Sequence, residues 1–556
     1  MPQWKRLIVV LLVLEGMQSL IIPPPISLQT KSRLPSLSQI AFPPVASGYD
    51  LVVIGCGPAG ETAALAAARA GKIVALLDVK KAFGGPSGLT SKAVREAATR
   101  IIAAVGQIKG DRRRLINELY ESNYNDLRLR TEVLQVSATR AKLMKANVSV
   151  FIGKPEILDA GEGEGEGEGV RVRVCRPTEC VELFTSNVII ATGSRPSRPI
   201  VAANPPQYCE ECASFKIPWT ANIVIDATKI STFTTLPRSV VIFGGGVVAL
   251  EYATVLAKLA VGVTIIVEKG RFMPFLSSEV RNQLRKILKQ NGVLLLEDVA
   301  IKSIVVDADA IVNAKRGCVV ELTSGRRFPV SCFLYSGGRQ ANSENLGLES
   351  LTPPVKISKF GRISQINYQT ANSNVYAIGD VIGPPSLASS AIKQAKSVIR
   401  DLFESESTST STSTSTSSAT SLFGEDIPLT LWSFPQIARA GLSGEQLKAQ
   451  KRTFFAGYSY FKDLSRGRLG IGRGGGDTDV GYMKLIAEPN GFGDFQVVGC
   501  EILGETANEL IQTAAILIGR NTTVEEIRET AFAAVTVSES FSVAAEDVVN
   551  KMNKMM

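Results

Sequence analysis

One local pattern occurs twice in this chain and limits the folds open to it. It consists of an apolar strand, a glycine turn, a helix, and a second strand ending on an acid. In the first copy, which starts at Tyr49, an apolar run at 51–54 enters Gly55-Cys56-Gly57-Pro58-Ala59-Gly60. A helix of small residues then reaches Gly71, and a second apolar run at 73–77 ends on Asp78. Gly55 permits the tight turn, Gly57 admits a pyrophosphate, and Gly60 lets helix and strand pack closely. The helix N-terminus, with Pro58 and Ala59 in the turn before it, faces the phosphates, and Asp78 can take a ribose hydroxyl. The second copy has a strand at 239–243, the turn Gly244-Gly245-Gly246, a helix carrying Ala249 and Glu251, and a strand at 263–267 that ends on Glu268. Ala249 holds the third glycine position, an allowed variant of the fingerprint. Glu268 suits the 2′-hydroxyl of NAD, whereas Lys269 and Arg271 can meet a 2′-phosphate, so NAD and NADP both stay open. Two such units in one chain imply two dinucleotides and a transfer between them.

With 556 residues and 45% hydrophobic content, the chain can bury several cores, and three domains plus inserts are expected. Its net charge of +9 is modest for this length, and part of it falls ahead of Asp50, in Lys5, Arg6, Lys31 and Arg33. No long basic run interleaved with aromatics occurs, so a nucleic-acid partner is not expected. The chain has no histidine. That absence excludes a histidine base, a histidine metal ligand and any Ser-His-Asp or Cys-His triad. The eight cysteines are scattered, which argues against a disulfide scaffold.

Residues 1–48 form a leader. Lys5-Arg6 precede a short apolar run at 7–14, followed by a Pro- and Ser-rich stretch with Lys31, Arg33 and no acid. A signal followed by a transit-like segment points to a plastid, with mitochondrial and secretory routing as alternatives. Nothing downstream reads as a membrane span. Residues 91–145 read as helices and 148–152 and 170–174 as strands, with the Gly-Glu run at 161–169 as a flexible hairpin extension. A strand at 181–190 leads into Ala191-Thr192-Gly193. Cys175 and Cys180 lie in a strand–turn–strand, and Cys209 and Cys212 form a CxxC in a Pro-rich insert. Zinc or a redox pair is the functional reading of these cysteines, and coincidental surface cysteines the default; no metal site is expected. Further on, Val375-Tyr376-Ala377-Ile378-Gly379-Asp380 is a strand ending on an acid, followed by a helix at 386–402 and a Ser/Thr tract at 405–421. The segment 426–550 reads as a separate α/β unit, with strands near 429–432, 480–486 and 496–503 and helices near 506–519 and 524–529.

Two glycine units, the Ala-Thr-Gly strand and the Tyr-Ala-Ile-Gly-Asp strand, in this order, resemble the flavoprotein pyridine nucleotide–disulfide oxidoreductases. The resemblance covers nearly all of residues 49–550. It implies two Rossmann-like α/β domains, one for FAD and one for NAD(P), and a C-terminal α/β dimerisation domain. The FAD domain would be split into 49–230 and 356–402, with the NAD(P) domain inserted at 231–355. A linker at 403–425 and the dimerisation domain at 426–556 would follow, giving a homodimer. The resemblance also implies that Gly55, Gly57, Gly60 and Asp78 hold FAD, that Gly379 and Asp380 approach its ribitol, and that Ala191, Thr192 and Gly193 mark the passage between domains. Gly244, Gly246, Ala249 and Glu268, with Gly338 nearby, would hold the pyridine nucleotide. Lys92 matches a lysine beside the reactive flavin nitrogen, and Glu251 matches its ion-pair partner, expected as a buried pair.

The chain departs from the family at its thiol chemistry. The stretch Gly84-Gly85-Pro86-Ser87-Gly88-Leu89-Thr90-Ser91-Lys92 lacks both cysteines of the family's redox pair. In Ala534-Val535-Thr536-Val537-Ser538-Glu539 the base position is alanine, and only Glu539, the residue that would orient that base, remains. A thiol relay needs an attacking thiol, a resolving thiol and a proton shuttle. Within the family, residues 381–389, 461–467 and 504–511 are most similar to soluble, flavin-dependent pyridine nucleotide transhydrogenases; dihydrolipoamide dehydrogenase is a more distant likeness. The expected activity is transfer of hydride from NAD(P)H through FAD to a second acceptor, foremost another pyridine nucleotide. A quinone, oxygen or disulfide acceptor and a catalytically retired redox sensor are the alternatives.

Overall fold

The computed structural model describes residues 43–79, 90–105, 112–159, 169–198, 215–220, 222–233, 235–312, 315–404, 427–469, 481–491 and 493–554. Residues 1–42 of the leader, the turn at 84–89, most of the Gly-Glu run, the Cys209/Cys212 insert and the Ser/Thr tract lie outside the described residues.

The first nucleotide unit is β1 (Tyr49–Ile54), α1 (Pro58–Arg69) and β2 (Val74–Asp78). Residues 51–54 are at most 1% exposed, as a parallel strand covered on both faces requires. The buried face of α1 is Ala59, Gly60, Ala63, Ala64 and Ala67. With nothing larger than a methyl group on that face, the helix lies close against the sheet. Next come α2 (Thr90–Val105), α3 (Arg112–Lys145) and β3 (Ser149–Ile152), which pairs with β2. A meander of β4 (Lys154–Asp159), β5 (Val170–Cys175) and β6 (Cys180–Ile190) completes the run. The 11-residue β6 serves two neighbourhoods: its first half pairs antiparallel with β5, and its second half runs parallel to β1. The sequence reading omits β4, whose only fully buried apolar side chain is Ile157, beside a proline and charged residues.

The hairpin between β5 and β6 brings one correction. Cys175 and Cys180, read above as coincidental surface cysteines, form a disulfide. The cause is register: the two residues face each other directly across the ladder. The turn between them is closed by the Arg176 N–H, which donates to the Glu179 carbonyl at 2.8 Å, and the Arg176 Nε reaches the Ile152 carbonyl at 2.8 Å.

Strand β7 (Ser194–Pro196) leads out of this domain. Strand β8 (Val224–Asp226) already belongs to the second nucleotide sheet, so that unit begins ahead of residue 231. Its core is β9 (Ser239–Phe243), α4 (Val247–Lys258) and β10 (Gly262–Val267). These are followed by α5 (Ser278–Gln290) and β11 (Leu294–Glu297). A three-stranded antiparallel sheet, β12 (Ile301–Val312), β13 (Lys315–Leu322) and β14 (Arg327–Val330), precedes β15 (Cys332–Tyr335), which completes the parallel order β11-β10-β9-β15-β8. The chain then returns: β16 (Arg339–Ala341) pairs with β7, β17 (Val375–Ala377) pairs with β6, and α6 (Ala388–Phe403) packs on α1.

The C-terminal unit is an antiparallel sheet of β18 (Leu429–Leu431), β19 (Ile437–Gly441), β20 (Phe455–Tyr460), β21 (Tyr482–Pro489) and β22 (Phe495–Leu503). One face packs on helices Ala507–Gly519, Val524–Glu529 and Ser540–Asn553. The other packs on the second nucleotide unit, where Leu429, Leu431, Ile437 and Leu503 share a core with α4 and α5. A polar cluster closes the edge of this contact. Lys484 Nζ donates to Glu279 at 2.6 Å and the Tyr458 hydroxyl donates to it at 2.9 Å. Burial pushes the Glu279 carboxyl up, but the donations from Lys484 and Tyr458 together outweigh it and hold the group below its ordinary value. No helix among the described residues is long and apolar enough to cross a membrane.

Two outcomes follow from these contacts. A non-reduced peptide map should contain a cross-linked fragment joining Cys175 to Cys180, and Cys175→Ser should lower unfolding stability by no more than roughly 2 kcal/mol, because the closed loop is short. The second concerns Glu279, whose folded pKa lies below its unfolded one. Its contribution is therefore complete above the unfolded value and is lost as pH falls through the folded one. Urea midpoints taken from neutral pH downward should fall less steeply in Lys484→Met than in the wild type below about pH 4.5.

Candidate functional site

The two glycine turns sit at the C-terminal ends of parallel strands, where open α/β sheets bind ligands. Gly55 has φ of +105°, and a Cβ there would collide with the Ala191 carbonyl. At Gly60 a Cβ would collide with the Gly55 carbonyl, so this glycine is required by the fold itself. Gly57 differs: a Cβ added there meets nothing within 4 Å. Gly57 is also the N-cap of α1 and supplies no side-chain cap, with Pro58 at the first helical turn and Ala59 buried behind it. The Gly57 position at the helix N-terminus thus leaves room for close approach of a phosphate.

The second turn repeats this arrangement. Gly244 has φ of +126° and abuts Ser336, while Gly246 is the uncapped N-cap of α4 with nothing within 4 Å of its Cβ position. Ala249, at the position that corresponds to Gly60, is 1% exposed, so the second turn accommodates a methyl group where the first has no room for one. Residues of both turns therefore fit dinucleotides. Asp78 lies at the end of β2, and its carboxylate accepts the Cys56 N–H at 2.8 Å, which pins the acid to the turn it serves. Glu268 follows β10 and is half-buried; Lys269 and Arg271 beside it are exposed.

A set of hydrogen bonds ties the domain passage together. Ala191 N–H donates to Ile54 O at 2.8 Å, Thr192 Oγ1 donates to Asn342 O at 2.6 Å, and Asn342 N–H donates to Gly193 O at 3.0 Å. Gly338, with φ of +140°, accepts the Ser197 N–H at 3.0 Å. Gly379 N–H donates to the buried Gln394 at 2.7 Å. Asp380 accepts the Ser194 hydroxyl at 2.7 Å, and Arg339 Nε donates to the same hydroxyl at 2.7 Å. The sequence reading names neither Ser194 nor Arg339 as a site residue; their signal was adjacency to the Ala-Thr-Gly and Gly-Gly turns.

The expected ion pair is formed. Lys92, in the first turn of α2, places Nζ 3.3 Å from Glu251 Oε1 and 3.4 Å from Oε2. Its burial is one-sided: the Glu251 side chain is 4% exposed and that of Lys92 32%. Lysine thus keeps a route to the open side, while the carboxylate sits inside the protein. Glu251 Oε1 also accepts the Trp432 N–H at 2.9 Å, a bond from the C-terminal unit absent from the sequence reading. Within the single chain Glu539 lies apart from this pair. Its carboxylate accepts the Thr536 N–H at 3.2 Å in a local capping box, beside an exposed Ala534.

The free cysteines among the described residues are all buried. Desolvation pushes the Cys318 thiol up to about 12 and those of Cys332 and Cys500 up as well. Reactive thiols need the opposite shift, toward the thiolate.

A family model described as pyridine nucleotide-disulphide oxidoreductase matches residues 49–395, and the dimerisation domain of the same family matches residues 427–545. The soluble pyridine nucleotide transhydrogenase of Marinomonas sp. is 28% identical over 520 residues, covering 91% of this chain and 99% of that protein. Its counterpart in Pectobacterium atrosepticum is 29% identical over 517 residues, covering 91% and 98%. Among solved structures, LpdA from Mycobacterium tuberculosis superposes with a TM-score of 0.71 at 21% identity, covering 89% of this chain and 99% of that one. The HOCl-induced flavoprotein disulfide reductase RclA of Escherichia coli gives 0.69 at 20% identity, covering 90% and 99%.

The two classes of glycine should separate on substitution. Gly57→Ala should leave the melting temperature of the flavin-free protein unchanged while weakening FAD binding at least tenfold in a fluorescence titration. Gly60→Ala should lower the stability of that flavin-free protein itself, by about 1–3 kcal/mol for an overpacked position.

Proposed function

Because the chain belongs to the pyridine nucleotide-disulphide oxidoreductase family, and is by that class an FAD-dependent NAD(P)H oxidoreductase, we propose that it moves hydride between two pyridine nucleotides. The likeness to soluble pyridine nucleotide transhydrogenases over most of both chains supports this reading. So does one structural observation: Lys92 and Glu251, from the two different nucleotide units, meet at 3.3 Å, while the thiol pair and base of the family's relay are absent from 84–92 and 534–539. The parts that align donor and flavin remain, and the parts that pass electrons to a disulfide do not.

Bound FAD supplies a two-electron carrier that one nucleotide reduces and another reoxidises. The protein's part is positioning and charge. The Gly57 turn and α1 N-terminus would hold one pyrophosphate and the Gly246 turn and α4 N-terminus the other, with Asp78 and Glu268 available to the riboses. Asp380, oriented by Ser194, would take a flavin side-chain hydroxyl. Lys92 supplies positive charge at the flavin, and Glu251 fixes it there and compensates it inside the protein. The net exchange, NADPH plus NAD⁺ giving NADP⁺ plus NADH, moves one hydride and releases no proton, so it needs neither a general base nor a thiol. The dimerisation domain supports a homodimer, and the leader supports delivery to a plastid.

Anaerobic stopped-flow tests the reading. NADPH should bleach the flavin, and an NAD⁺ analogue should restore its absorbance, with parallel-line initial-rate kinetics. A flavin bleached by NADPH or NADH but reoxidised by neither NAD⁺ nor NADP⁺ contradicts it and points to another acceptor. Lys92→Ala should slow bleaching on the order of a hundredfold, the scale of a misaligned reacting pair.

A further inference from the structure

The Lys92–Glu251 pair is supported from a third side, by one buried cation. Arg95 lies one turn after Lys92 on α2, with its side chain only 7% exposed. Its Nε donates to the Ser433 carbonyl at 3.2 Å and its Nη2 to Glu505 Oε2 at 3.2 Å. The guanidinium carbon also stands 4.3 Å from the Phe434 ring centroid and 5.9 Å from that of Trp432. Arg95 therefore grips the segment 432–434 by a carbonyl and by two aromatic rings, contacts that are strong when desolvated.

Helix α4 grips the same segment through two of its amides, those of Trp432 and Phe434. Trp432 N–H donates to Glu251 at 2.9 Å, and Phe434 N–H donates to Thr254 Oγ1 at 3.1 Å. The Thr254 hydroxyl in turn donates to the Leu250 carbonyl at 2.9 Å. The amide contact to Glu251 is shorter than either contact from Lys92. Because Lys92 is a flexible side chain and the Trp432 amide is backbone, the amide does more to fix the carboxylate's direction. That amide stays in place only while its segment is held, and the side chain holding it from α2 is Arg95.

We propose that Arg95 is a positioning residue for hydride transfer, acting through Trp432 on Glu251 and so on the Lys92 ammonium. This rests on the reading above that Lys92 and Glu251 align donor and flavin, but not on which acceptor follows. Loss of the guanidinium frees the Ser433 carbonyl and the Trp432 amide, and Glu251 then rotates away from its place. Neither pyrophosphate cradle is touched, so nucleotide and FAD affinity stay unchanged. The residue works through a network, whose members couple non-additively.

The test uses Arg95→Met, which keeps a long apolar stem, and Arg95→Lys, which can replace one of the two hydrogen bonds. The first readout is amide hydrogen exchange in the flavin-free protein. Arg95→Met should speed exchange at Trp432 at least tenfold while amides of helix Ser540–Asn553 keep wild-type protection. The second is the limiting rate of flavin reduction under anaerobic conditions. Arg95→Met should lower it on the order of tenfold with unchanged nucleotide dissociation constant, and Arg95→Lys should recover part of the loss. The third places Arg95→Met in a Glu251→Gln background, where it should have little further effect. Wild-type exchange at Trp432, a wild-type reduction rate, or an equal loss in both backgrounds would each overturn the proposal. If Arg95→Met does not fold, Arg95→Lys carries the same three readouts. A wild-type flavin that takes hydride from neither nucleotide overturns this inference together with the function proposed above. One that is reduced yet passes nothing to NAD⁺ or NADP⁺ contradicts only the transhydrogenation reading.

Discussion

The carboxylate of Glu251 is where the three units of this protein are held in common. It is 4% exposed and bonded to Lys92 of the first nucleotide unit and to the Trp432 amide of the C-terminal unit, while its own backbone belongs to the second. A buried charge with one partner missing is costly, on the order of 3–5 kcal/mol, and this one meets both partners only when all three units are docked. Lys92 retains access to solvent, so its loss alone falls toward the lower end of that range. The same geometry that satisfies the charge brings α2 against α4, so docking and the proposed alignment are one requirement.

Much of this could be read in the sequence, and for a definite reason. The two glycine turns are dictated by backbone chemistry: Gly55 and Gly244 need positive φ, Gly60 has no room for a methyl group, and Gly57 and Gly246 leave room for something else. Such demands are local and leave a spelling in the residues. The ion pair was legible only through resemblance, because nothing in the local sequence brings Lys92 to Glu251. The Trp432 amide and Arg95 were not legible as parts of the site. A backbone N–H carries no residue identity, and an arginine one turn after a lysine reads as a solvated helix face.

The sequence reading also names no strand at β7, β8 or β11–β16, and three further omissions, β4, β19 and β20, show why. In β4 a proline and charged residues mask the alternation, and β19 and β20 are short segments whose burial comes from neighbouring strands, not from their own periodicity. The Cys175–Cys180 disulfide depends on strand register, which a spacing of four intervening residues suggests but does not fix. It lies in the β5–β6 hairpin, so the chain carries a cystine while the family's flavin-side position has none.

At the centre of this account is hydride exchange that needs no thiol. The most direct measurement is the rate of NADPH-to-NAD⁺ analogue exchange after the protein has been reduced and its accessible thiols exhaustively alkylated. Exchange at the rate of the untreated enzyme, with FAD retained, is the expected result. Loss of exchange with FAD still bound and still bleached by NADPH would show that a thiol carries the electrons onward, and would contradict it.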